Sequence, residues 1–325
     1  MRALQVTSLD GPDALRVADD LPEPEASHML TPGAGVVVDV KAAAVSFPDV
    51  LQTRGLYQFK AEPPFIPGAE VAGTVRSAPE DSGFAPGDRV MAFTALNGLA
   101  EVAVAPAFMT FALPESLDFA EGASIILNYH TVFFALKLRG RLASGERVLV
   151  HGAAGGIGTA ALQVAKGLGA STVAIVSSDE KERVAREAGA DDVFRSDGPW
   201  KDQVLESGGV DVVLDPVGGD RFTDSLRSLR EDGRIVVVGF TGGGIPEVKV
   251  NRLLLKNTEV IGAGWGAYAM AKPELNQQIG AALDELVRKG FVKPIVDARV
   301  PFEQGADAFR LIDERRAVGK VVVEL

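Results

Sequence analysis

The residues best suited to chemistry lie in one stretch of the 325-residue chain, Arg147 to Ala170, RVLVHGAAGGIGTAALQVAKGLGA. Val148, Leu149 and Val150 are an aliphatic run of the kind buried in a parallel sheet, and the run stops at a cluster of small residues. Gly155, Gly156 and Gly158 lack a Cβ, which allows a tight turn, close backbone approach to a pyrophosphate and close packing of helix on strand. Ile157, Ala161, Ala165 and Leu168 follow at spacings of four, four and three, one apolar stripe along a helix whose first amides face the turn and suit an anion. Ala153 stands where the common G-x-G-x-x-G pattern has its first glycine, so it is the order strand, turn, helix, strand that points to a dinucleotide.

The second strand of that unit bears on which dinucleotide. Enzymes specific for NAD place an acidic residue about twenty positions beyond the glycine turn, where it binds the ribose hydroxyls and repels a 2′-phosphate. Here Val176 holds that place, followed by the short hydroxyl donors Ser177 and Ser178, and Arg195 at the end of the third strand can approach the same pocket. NADPH is therefore the expected cofactor. Asp179 and Glu180 oppose this, but they begin a helix, where acidic residues suit the dipole and are expected to turn outward.

Other chemistries are excluded by what the chain lacks. With no cysteine it has no disulfide, no thiolate metal ligand and no thiol nucleophile, and its three histidines (His28, His130, His151) show no metal-ligand spacing. A net charge of −11 disfavours a nucleic-acid partner. No apolar run approaches the roughly 18 residues of a membrane span, and MRALQVTSLDGPD lacks a signal-peptide pattern. A soluble, cytoplasmic protein with no membrane partner is expected.

The positioning elements divide in two. Met1 to about Phe119 is β-rich, with runs such as residues 35–40 and 100–104 between Pro and Gly turns, and a short helical piece inside residues 46–75. From Phe119 helices and strands alternate, implying crossover units and a parallel sheet. Candidate strands are 147–150, 172–176, 192–194, 211–214, 234–238 and 260–262, and candidate helices 156–168, 180–188, 201–206, 220–229 and 274–289. The tail from Lys293 to Leu325 returns to short strands and is expected to rejoin the first domain. The fold class is thus α/β: a doubly wound parallel sheet over 121–292, and a β-rich domain over 1–120 completed by 293–325.

Six segments taken together resemble the medium-chain dehydrogenase/reductase superfamily and, within it, the zinc-free NADPH:quinone oxidoreductases. They are SFPDVLQTRGLY (46–57), PGAEVAGTV (67–75), PGDRV (86–90), NYHT (128–131), HGAAGGIG (151–158) and DPVGG (215–219). The resemblance implies a Rossmann-type cofactor domain and a GroES-like substrate domain, with the active site in a cleft between them. Zinc-dependent relatives carry Cys at the place of Ser46 and His at that of Ala69, beside Glu70, so no metal is expected.

By the same resemblance, Tyr57 is the hydrogen-bond donor to the acceptor carbonyl, Asn128 and Ser46 join it in the catalytic group, and Ser46 holds a water at the former zinc position. Thr131 lies near the nicotinamide with Tyr129 close by. Ala154, Gly155, Gly156 and Ile157 form the phosphate turn, and Lys181 joins Ser177, Ser178 and Arg195 at the 2′-phosphate. Val217, Gly239, Phe240, Gly264, Trp265 and Lys320 complete the cofactor site. The expected activity is hydride transfer from NADPH to a quinone or other α,β-unsaturated carbonyl. The alternatives are reduction of an enoyl or acryloyl thioester and a redox-sensing, NADPH-binding role with little turnover. A homodimer is expected through the edge strand Thr258 to Gly262, since an uncovered apolar edge is an aggregation hazard.

Overall fold

A computed structural model describes residues 1–325. The chain opens with an antiparallel pair, β1 (Ala3–Val6) and β2 (Leu15–Ala18). β3 (Gly35–Val45), eleven residues of mostly Val and Ala, comes next, and nearly all of it is buried. Such β-branched and small side chains suit a pleated surface covered on both faces. At its C-terminal end the backbone enters α1 (Phe47–Gln52), whose start is fixed by the Asp49 carboxylate accepting from the Ser46 amide at 2.8 Å. β4 (Glu70–Ser77) returns antiparallel to β3 with Glu70 opposite Ala44, and β5 (Arg89–Phe93) pairs with β4. β6 (Val102–Pro106) covers the first half of the other edge of β3, and β7 (Thr110–Ala112) pairs with β5. α2 (Phe119–Ala123), capped by Asp118, ends this portion.

Residues 126–139, for which the sequence suggested no element, are almost wholly helical. Two π-helical runs, Ile126–His130 and Phe134–Arg139, flank one turn of α3 (Thr131–Phe133). The i→i+5 bond from the Gly140 amide to the Ala135 carbonyl, 2.7 Å, is typical of such wide turns, which occur often at functional sites. The expected alternation follows: β8 (Arg147–His151), α4 (Gly156–Gly167), β9 (Ser171–Val176), α5 (Asp179–Glu187), β10 (Asp192–Arg195), α6 (Trp200–Glu206), β11 (Val210–Asp215), α7 (Phe222–Ser228), β12 (Leu229–Val237), α8 (Asn251–Leu254), β13 (Glu259–Gly262), α9 (Trp265–Ala271) and α10 (Pro273–Arg288). The sheet order is β10-β9-β8-β11-β12-β13, all parallel. The doubly wound sheet expected from sequence is present, and its winding reverses at β8 and β11, where such sheets bind ligands beyond their carboxyl ends.

The tail departs from the expectation of strands alone. β14 (Val296–Pro301) and β15 (Lys320–Glu324) run parallel, and parallel neighbours need a crossover, here α11 (Gly305–Asp313). A Cβ on Gly305 would lie 2.1 Å from Leu4 Cδ1, so any larger residue would require the buried Leu4 side chain to shift. β15 then pairs antiparallel with the second half of β3, Val321 opposite Val45.

Two compact units result: Met1–Leu127 with Lys272–Gly280 and Pro294–Leu325, and Asn128–Ala271 with Ala281–Lys293. These limits differ from a cut at residue 121 and at 292, because α2 packs on β3 and β4 and because Gly280 lies against the Phe111 ring. No helix is long and apolar enough to cross a membrane.

Candidate active site

In the second unit the glycine turn is built differently from the simplest reading. The only left-handed residue in it is Gly152, at φ 58°; Gly155, Gly156 and Gly158 have no positive φ. Gly155 is the N-cap of α4 and offers no side chain to its amides, so the first turn of a twelve-residue helix has no side-chain cap. Gly158 is required by packing: a Cβ there would stand 2.2 Å from the Gly152 carbonyl oxygen and 2.5 Å from Ala153 Cα. The helix thus starts directly on the turn, and its amides fit a pyrophosphate. Ala154 is buried and Ile157 half-buried.

The ends of β11 and β12 face this turn. Val217 Cγ2 lies 3.2 Å from where a Cβ on Gly152 would be. Asp215 Oδ1 accepts from the Val217 and Gly218 amides at 2.8 and 2.9 Å, which makes Asp215 the residue that shapes this loop. The loop carrying Gly239 and Phe240 is held to it by the amides of Thr241 and Gly242, which donate to the Pro216 and Val217 carbonyls at 3.0 and 2.9 Å. Ser196, Trp200, Val217 to Arg221, Gly242 and Gly244 line a cavity of about 330 Å³ there. Neighbouring His151 is wholly buried, 2.7 Å from Ser225 Oγ, and burial pushes its pKa down to about 3, so it is a neutral core residue.

Beyond β9 the structure gathers the expected phosphate-binding residues. Lys181 Nζ donates to Ser177 Oγ at 3.4 Å, and Arg195 Nη2 donates to the Ser177 carbonyl at 2.8 Å. Ser178 caps α5 by accepting from the Lys181 amide. Asp179 departs from expectation: it is 96% exposed, yet its carboxylate turns back to Arg195 Nη1 at 2.5 Å.

Three further residues from the expected site have defined surroundings. Trp265, three residues after the end of β13, is the first residue of α9, 2% exposed, with its ring 5.5 Å from that of His130. Tyr129 is core: its hydroxyl donates to Gln163 Oε1 on α4 at 2.7 Å. Lys320 belongs to the first unit, where the pairing of Val321 with Val45 sets it beside Ser46. Asn128 is buried on the first π-helical run, Thr131 is half-buried at the start of α3, and Gly264 has open space where a Cβ would be.

In the first unit Ser46, Glu70 and Lys320 form a closed polar group. Lys320 Nζ donates to Glu70 Oε1 at 2.5 Å and to Ser46 Oγ at 2.8 Å, and Ser46 Oγ donates to Glu70 Oε1 at 3.3 Å. The Leu127 amide donates to Glu70 Oε2 at 2.9 Å. An ammonium thus rests on the glutamate, and Ser46 Oγ bridges the two charged groups. With Ser46 and Ala69 at the places of Cys and His, this donor set does not suit zinc. No group of three or more His, Cys, Asp or Glu is arranged to hold a metal ion.

Asp49 and Tyr57 extend the group. Burial raises Asp49 to about 7; the Ser46 amide opposes that shift, and the Glu70 charge adds to it. The half-buried Tyr57 hydroxyl is raised by burial and then by the Asp49 charge, which keeps it a proton-bearing donor at neutral pH. Asp49 is a residue that sequence reasoning missed. Its signal was the S-x-x-D spacing at 46–49, which lets a carboxylate cap its own helix.

Residues 32–115 match the alcohol dehydrogenase GroES-like domain and residues 156–282 the zinc-binding dehydrogenase family. The quinone oxidoreductase-like protein 2 of Bos taurus is 38% identical over 297 residues, 89% of this chain and 85% of that protein. The quinone oxidoreductase of Rattus norvegicus is 33% identical over 334 residues, covering 100% of this chain and 98% of its own. The solved quinone oxidoreductase of Thermus thermophilus, also determined in complex with NADPH, superposes with a TM-score of 0.81 at 33% identity, with 100% of each chain covered.

Proposed function

The chain belongs to the medium-chain dehydrogenase/reductase superfamily, in its zinc-free quinone oxidoreductase group, and from that premise we propose that this oxidoreductase uses NADPH to reduce a quinone or other α,β-unsaturated carbonyl. The observation that carries the reading is the Lys320–Glu70–Ser46 group. A Lewis acid on the oxygen is one way to activate an alcohol for hydride loss, and this donor set does not suit one. A conjugated acceptor is already electrophilic and needs only hydride, a proton and a hydrogen-bond donor where negative charge develops.

The bound cofactor supplies the hydride, and the protein supplies position and polarity. The first-turn amides of α4 hold the pyrophosphate. Ser177, Ser178, Lys181 and Arg195 hold the 2′-phosphate, a reading supported by Val176 at the place where NAD enzymes have an acid. Val217, Gly239, Phe240 and Gly264 border the cofactor, and Asn128 and Thr131 serve its nicotinamide end. Tyr57 donates to the acceptor oxygen. Ser46, with its proton directed to Glu70, acts as an acceptor and positions neighbouring donors.

The test is a panel of quinones, enones and enoyl thioesters, followed through loss of NADPH absorbance. Turnover of quinones or enones well above that of crotonyl thioester supports the reading. Faster thioester reduction, or tight NADPH binding with no turnover on any acceptor, rejects it.

A further inference from the structure

The 2′-phosphate patch contains an acid that the proposed function does not use. Arg195 is held at both terminal nitrogens, Nη1 by Asp179 at 2.5 Å and Nη2 by the Ser177 carbonyl at 2.8 Å, while Nε makes no hydrogen bond and stands 3.7 Å from Asp197 Oδ1. Lys181 Nζ has Ser177 Oγ at 3.4 Å. Two carboxylates therefore face the one guanidinium, and Lys181 has a hydroxyl for its partner. Asp179 is the first residue of α5, where the field of the helix favours an anion. The field and the guanidinium that hold Asp179 are those that would receive a phosphate.

We propose that Asp179 is an internal competitor for the cofactor's 2′-phosphate, so that residue 179 sets how strongly the protein prefers NADPH over NADH. The proposal rests on the NADPH reading of this patch. To bind NADPH, the phosphate must displace the Asp179 carboxylate from Arg195 Nη1 and then lie beside it. NADH, with a hydroxyl at that position, leaves the Arg195–Asp179 pair intact. Asp179 therefore weakens NADPH selectively. Both partners reach solvent, so the exchange is screened, and the effect is that of an exposed pair plus the repulsion it removes.

The experiment measures dissociation constants of NADPH, NADH and adenosine 2′,5′-bisphosphate by titration calorimetry on the full chain, for wild type, Asp179→Asn, Arg195→Met and the double variant. Asp179→Asn is expected to tighten NADPH and the bisphosphate by roughly 3- to 10-fold, with NADH moving less than about twofold. In the Arg195→Met background the gain should vanish, because nothing is left to compete for. In about 1 M salt, where the Debye length is about 3 Å, the difference between wild type and Asp179→Asn should shrink towards unity. A wild type that prefers NADPH, with Asp179→Asn unchanged or with the gain persisting without Arg195, overturns the competitor role while leaving the NADPH reading in place. A wild type that prefers NADH, or ignores the bisphosphate, overturns the NADPH reading itself.

Discussion

Replacing Lys320 by Met keeps most of the side-chain stem and removes the charge that faces Glu70. The two side chains are 4% and 1% exposed, so neither charge is hydrated by bulk water. In the variant Glu70 Oε2 keeps the Leu127 amide and Oε1 keeps only Ser46 Oγ, at 3.3 Å. A buried carboxylate stripped of its cation costs about 3–5 kcal/mol. Removing both charges, in Lys320→Met with Glu70→Gln, leaves a neutral amide that still accepts from Leu127, and the cost should fall below about 1.5 kcal/mol. Tryptophan fluorescence cannot measure this, because both tryptophans, Trp200 and Trp265, lie in the second unit. Native-state hydrogen exchange at the β3 and β15 amides reports on the first unit directly. A single variant that loses less than about 1 kcal/mol there, or a double variant less stable than the single one, would refute the account of this pair as a charge held by its partner.

Other expectations follow from the same geometry. Tyr57→Phe should lower kcat/KM for a quinone by roughly 5- to 150-fold, from loss of about 1–3 kcal/mol at the developing oxyanion, with NADPH affinity nearly unchanged in a binding titration. For Asp49, raised from 3.8 to about 7, the folded chain retains a proton that the unfolded chain has released between these values, so its contribution to stability falls as pH rises through that window. Asp49→Asn should remove that fall, up to about 1.4 kcal/mol per pH unit, and stabilise the first unit above pH 7 in exchange measurements. His130 and His151, lowered from 6.5 to about 3, act oppositely in the second unit, which should lose stability as pH falls through that range. β13 is an unpaired edge with Val260 exposed, and light scattering should give about twice 34.1 kDa if it meets its copy in a homodimer.

The doubly wound sheet was legible because its evidence is local: aliphatic runs ended by glycine, amphipathic helices, and the order in which they follow one another. For the site, the sequence carried the family resemblance, which sets Ser46 and Ala69 at the places where zinc-dependent relatives have Cys and His. What escaped depends on pairing between distant segments. Lys320 lies 274 residues from Ser46 in sequence, and only the register of β15 on β3 brings them together. Gly152 could not be told from its neighbours, because each glycine in the turn is free to take positive φ and only the turn's closure selects one. At the acidic start of α5 the sequence shows the helix dipole alone. Arg195 draws Asp179 back, an interaction between strand end and helix start that no periodicity encodes. α11 is explained only once β14 and β15 are known to be parallel.

The central claim, hydride transfer to a conjugated acceptor without a metal, is tested most directly by steady-state oxidation of NADPH by a simple benzoquinone on protein whose zinc content has been measured, with and without a strong chelator. The account predicts saturable turnover at negligible zinc that the chelator leaves unchanged. No turnover with any quinone or enone, or a rate that tracks bound zinc and disappears on chelation, would contradict it.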